Sequence, residues 1–151
     1  MKKKPLKLTV RSMAFGITVI LTVFSNSSWA EKDNREAVVL DDENRAFVLH
    51  EMRQNVSGIQ QAITALSNDD MKGVASALRR LGMQSMANVP PTLMSTVPGG
   101  FMQIGMSNHL AFDKIADAAE KGASTKDVLS SLGIAMNRCV ACHATYRIES
   151  K

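Results

Sequence analysis

The most constraining feature of this chain lies near its C-terminal end, where Val128, Leu132, Ala135, Cys139, Cys142 and Tyr146 recur at spacings of four and three. That period places all six side chains on one face of an α-helix; a strand would need a period of two. Ser124 or Thr125 offers an N-cap, with Asp127 three residues after Ser124 in the manner of a capping box. The chain has only 2 cysteines, and the pattern turns both of them toward the core.

Three earlier segments carry the same kind of signal. Asp41 or Asp42 caps a long helix reaching about Ser67, in which Leu49, Met52, Val56, Ile59, Ile63 and Leu66 form the apolar stripe. A second helix runs from Asp70 to about Ala87 around Met71, Val74, Leu78 and Leu81, and Pro90-Pro91 stops it because proline has no amide hydrogen to donate. Residues 88–100, with Val97-Pro98-Gly99-Gly100, read as the longest connection, and its glycines as turn chemistry without a phosphate-loop pattern. The third helix covers about Phe101 to Lys121, burying Gly105, Phe112, Ile115 and Ala119, and Gly122 closes it. Glu31 to Asp42 reads as a loosely ordered polar stretch, and no segment gives a convincing strand pattern. Four amphipathic helices and three connections predict an all-α fold, an antiparallel four-helix bundle.

Residues 1–30 read as a cleavable secretory signal peptide. Lys2, Lys3, Lys4, Lys7 and Arg11 precede an apolar run from Met13 to Phe24, and Ser28-Trp29-Ala30 offers a small-x-small cleavage site. The run is shorter than the roughly 20 residues that span a bilayer, so an anchor is the weaker reading. Cleavage leaves residues 31–151 as one domain. It also leaves 13 of the 18 Lys and Arg against all 14 Asp and Glu, so the formal charge of +4 becomes −1. The basic pI of 9.3 belongs to the discarded segment, and it supports neither a nucleic-acid partner nor stable membrane association after cleavage.

The cysteines belong to the run Cys139-Val140-Ala141-Cys142-His143. Two thiols separated by two residues and followed at once by an imidazole form the attachment pattern of a c-type haem: the sulfurs bind the macrocycle covalently and His143 is placed to ligate the iron. On a helix the three side chains lie within one turn. A closed zinc site would need two more nitrogen or sulfur donors, and only His50 and His109 remain besides His143. A thioredoxin-like redox pair belongs with a β-α-β pattern, which is absent, and a plain disulfide would not require His143. One motif implies one haem c per chain, held against the inside of the last helix. Export and covalent haem together point to the periplasm of a bacterium.

On these residues the chain resembles the class II c-type cytochromes, the family of cytochrome c′ and cytochrome c556. The resemblance covers the four-helix layout, the C-terminal position of the motif and the run from Cys139 to Arg147, in which an aromatic and a basic residue follow the His by three and four positions. It implies that Cys139 and Cys142 attach the haem, that His143 is the proximal ligand, and that Arg147 lies in the haem environment on the proximal side; a solvated Arg complementing the helix dipole is the alternative. It also implies two readings of the opposite axial position. Met52, in Met52-Arg53-Gln54-Asn55, is similar to the first-helix methionine that ligates iron in cytochrome c556-like members. Arg45 and Leu49 are similar to the Arg and apolar distal residue of cytochrome c′-like members, whose iron is five-coordinate. Family habit further allows a homodimer through the first two helices, for which the sequence itself gives no support.

Met52 lies on the core stripe, where a thioether equally serves as packing. Arg45 reads as solvated or paired with a haem propionate, His50 as an exposed helix residue, and His109 as a boundary histidine. Met83, Met86, Met102 and Met106 are weaker ligand candidates. The leading expectation is a non-enzymatic electron carrier with His143 and Met52 on the iron, meeting redox proteins transiently. The alternative is a cytochrome c′-like protein that takes nitric oxide or carbon monoxide at an open distal site. Catalytic turnover there is the weakest reading, because the first helix offers no clear acid-base pair beyond Arg45 and His50.

Overall fold

The computed structural model describes residues 32–151; the signal segment expected over 1–30 lies outside the described residues. Within them the chain is mostly helical, with one small sheet. The order is β1 (Glu36–Leu40), α1 (Asp42–Ser67), α2 (Met71–Arg79), a 3-10 turn (Met83–Asn88), α3 (Pro91–Thr96), α4 (Gly99–Glu120), α5 (Thr125–Thr145) and β2 (Tyr146–Ser150).

Local signals set the long helices. The Asp41 carboxylate accepts from the Asn44 backbone N–H at 2.9 Å and from its side-chain amide at 3.0 Å, satisfying donors that the first turn leaves open. Asp70 caps α2 by accepting from Gly73 N–H at 2.8 Å. Ser124 does the same for α5 through Asp127 N–H at 3.2 Å. α4 ends at Gly122, whose φ of 80° suits glycine; Gly122 N–H donates to Ala119 and Ala123 N–H to Ala118, forming a Schellman closure.

The expected second helix is cut short. It stops at Arg79 and gives way to the 3-10 turn, because the Asp113 carboxylate of α4 accepts from Met83 N–H at 2.8 Å and occupies the space that a Cβ on Gly82 would fill. The expected long connection contains α3, a short helix begun by Pro91 at a position where proline's missing N–H costs nothing.

The buried side of α1 agrees with the expected stripe only in part: Ile59 and Leu66 are buried, and Leu49 and Met52 half-buried. Val56 and Ile63 are 70% and 46% exposed, while Asn44, Val48, Gly58, Ile59, Ala62 and Leu66 are buried. Small residues carry the close approach: a Cβ on Gly58 would lie 2.6 Å from Leu81. α1 packs on α2, α2 on α4 and α4 on α5, whereas α1 and α5 scarcely touch. The main core gathers Leu66, Val74, Leu78, Phe112, Ile115 and Leu132, and a second apolar cluster joins Val38 and Leu40 to Val48, Leu93 and Val97.

The sheet corrects the expectation of a loose segment before the first helix. β1 pairs in parallel with β2, from Glu36 beside Tyr146 to Leu40 beside Ser150, and it buries Val38 and Leu40. Tyr146 accordingly leaves the helical stripe and becomes the first residue of β2. Side chains reinforce the pairing: Arg35 donates to the His143 carbonyl at 3.2 Å and Arg147 to the Arg35 carbonyl at 3.0 Å.

Hydrogen bonds from Arg35, chiefly from its side chain, hold the Asp33 carboxyl down to about 2. A depressed folded pKa means that the contribution is present above the unfolded value, roughly 3.9, and is lost as pH falls toward the folded value. Amide protection in β1 is therefore expected to fall between about pH 4 and pH 2, ahead of α4. Hydrogen exchange measured by NMR across that range tests it; equal loss in both elements would contradict the role of Asp33.

Candidate functional site

The separation of α1 from α5 leaves a cleft of about 450 Å³. That size falls within the roughly 300–1,000 Å³ of small-molecule and cofactor sites. Phe47, Val48, Met52, Val56 and Ile59 of α1 form one wall. Phe101, Met102, Gly105, Asn108 and His109 of α4 also line it, with Met136, Cys139, Cys142 and His143 of α5. Val89 and Leu93 close one end. The lining is apolar apart from a few placed groups, as cofactor sites require.

Four residues singled out in the sequence therefore meet at one cavity: Cys139, Cys142, His143 and Met52. Both cysteines are free and half-buried, and His143 is exposed at the rim. Burial, and then the charge of Cys139 one turn away on α5, pushes the Cys142 thiol above its ordinary range. Among the described residues no three His, Cys, Asp or Glu side chains gather tightly enough to hold a bare metal ion.

The other candidates divide. Met86, Met102 and Met106 line the cleft, whereas Met83, Leu49, Arg45 and His50 are not part of its lining. Arg45 and His50 are exposed on α1 and Leu49 is half-buried there. Arg147 stands on β2, where it pairs with Glu149 and braces the chain near Arg35; the solvated helix-end setting considered for it gives way to a strand. His109 is 7% exposed. Its Nδ1 lies 2.7 Å from the Leu81 carbonyl and 3.1 Å from Ser85 Oγ, so Nδ1 carries the proton given to Leu81 and pins α4 to the end of α2.

Polar lining groups to which the sequence reading gave no role include Glu51 and Asn55 on α1, Asn108 on α4 and Arg138 on α5. The Asn55 and Asn108 Oδ1 atoms are buried without a hydrogen-bond partner. A signal existed for Asn108, which sits in a helix turn with the buried positions His109, Phe112 and Ile115. Among the described residues no helix is long and apolar enough to cross a membrane. Set against models of known protein families, curated proteins and solved structures, the chain finds no match in any of the three.

Proposed function

We propose that this chain is an exported monohaem c-type cytochrome of the class II kind that carries single electrons in the periplasm, with α1, α2, α4 and α5 forming its antiparallel four-helix bundle. The observation that carries the reading is the cleft between α1 and α5, lined on one side by Met52 and on the other by Cys139, Cys142 and His143. When bound, haem c supplies a one-electron couple between ferric and ferrous iron.

The residues present fit such a group. Cys139 and Cys142, one turn apart on α5, would hold the group covalently, and His143 would provide a nitrogen ligand. Met52 offers a soft thioether from α1, a donor that favours the ferrous state and raises the potential. Phe47, Ile59, Leu93 and Phe101 would shield the group from water, and Arg138, half-buried on the lining, would offer a cation to its carboxylates. Partner redox proteins then meet the protein at the rim, where Val56 and Val140 are exposed beside the cleft.

The alternative of an open, gas-binding iron needs Leu49 as the distal residue, and Leu49 is not part of the lining. Optical spectra with and without carbon monoxide, taken on the unmutated holoprotein and on Met52→Ala, separate the two. Six-coordinate low-spin bands that resist the gas are expected in the first, and high-spin gas-sensitive bands in the second. High-spin bands in the unmutated protein would move the assignment to the cytochrome c′-like reading.

A further inference from the structure

Asn108 stands out among the cleft residues. It is 8% exposed in the middle of α4. Its side-chain Nδ2 lies 3.7 Å from Cys139 Sγ on α5, while its Oδ1 is buried with no partner among the described residues. A buried amide with an unmade hydrogen bond carries the desolvation penalty of that group, and an apolar side chain of the same shape would avoid it. Packing between α4 and α5 therefore does not explain an asparagine here. His109 beside it differs, because its Nδ1 is satisfied by Leu81.

Resting on the haem reading above, we propose that Asn108 is a positioning residue for attachment at Cys139: its amide N–H holds the sulfur in place while the thioether forms and remains bonded to it afterwards. The chemistry of sulfur supports this orientation of the amide. A thiol both donates and accepts weakly, but a thioether has no hydrogen and only accepts. The contact from Nδ2 to Sγ is the one that persists through the change. In the bond-forming step the Cys139 S–H adds across a vinyl C=C: the C–S bond forms at the inner carbon, the thiol proton ends on the outer carbon and the π bond is consumed. The addition has no leaving group and needs no oxidant. It does require the free thiol found at Cys139. Among the described residues no side chain donates to the Cys142 sulfur, and Asn108 bonds to Cys139 alone, so attachment at Cys142 does not depend on Asn108.

The test uses the full chain expressed with a haem-attachment system. Asn108→Leu removes the polar group, and Asn108→Asp keeps the shape but removes the N–H. Both are expected to retain helical circular dichroism and to lose severalfold in doubly attached product. The remainder should be bonded through Cys142 alone, seen by mass mapping and by a pyridine haemochrome band moved to longer wavelength by the surviving vinyl group. Asn108→Gln, which keeps a donor, is expected to recover part of the yield. In the unmutated holoprotein the Asn108 side-chain amide protons should exchange slowly with solvent, a readout that holds even where a variant does not fold. Doubly attached product at the unmutated yield from both folded variants, or fast exchange of those protons, would overturn the proposal. An unmutated chain that takes up no haem would instead sink the cytochrome reading on which it rests.

Discussion

Cys139→Ala/Cys142→Ala, expressed with a haem-attachment system, is expected to yield a folded helical chain carrying no covalent haem, where the unmutated chain carries one. Acidified organic solvent should extract any haem from the variant and none from the unmutated protein. The effect is all-or-none because these are the 2 cysteines of the chain, so no other thiol can substitute. The fold should survive: both side chains are only half-buried and lie beyond the last fully buried residue of α5, Ala135. The single variants are expected to keep one thioether each and to show a haemochrome between the two extremes. If the double variant still holds haem that resists extraction, the attachment assignment fails.

The second large effect concerns stability. Phe112→Ala is expected to destabilise the protein by about 3–5 kcal/mol, the usual range for emptying an aromatic site in a packed core. Phe112 is 0% exposed and belongs to the main core where α1, α2, α4 and α5 contribute side chains. Set against a total of roughly 5–15 kcal/mol for a domain, the loss takes much of the margin. Urea unfolding of the haem-free chain measures it directly. A shift under about 1 kcal/mol would show that the neighbouring Leu78, Ile115 and Leu132 collapse into the space. Since Asn108 and His109 lie one turn away on α4, the same substitution is also expected to loosen one wall of the cleft.

What could be read from the sequence was what neighbouring residues decide. Asp41, Gly122 and Ser124 act within a few positions of themselves, and the start of α1, the end of α4 and the start of α5 fall where those residues place them. The Cys139–His143 run is likewise local, and the structure brings Cys139, Cys142 and His143 to one cleft with Met52. The remainder depends on partners distant in sequence. The break after Arg79 comes from Asp113, 30 residues beyond the Met83 amide it caps. The buried side of α1 is chosen by Gly58 and Ala62, whose small size lets α2 approach and which a tally of large apolar residues overlooks. Asn108 is ordinary until α5 brings a sulfur beside it.

β1 illustrates the same point and has a consequence for how the molecule is assembled. Five residues with Val38 and Val39 at the centre give little strand signal alone, and among the described residues the only partner is the strand that follows α5. Arg35 and His143, which join across this clasp, are separated by 108 positions. Closing a loop of that length is entropically unfavourable, and contacts so remote in sequence tend to form after local ones are in place. The pairing is expected to be among the last steps of folding, visible as late protection of Val38 and Leu40 amides in pulse-labelled hydrogen exchange. Until then the carbonyl end of α5, and the His143 beside it, stay open to solvent. Closure then ties the two ends of the domain together beside the cleft, so access to His143 narrows only once the rest of the domain has folded.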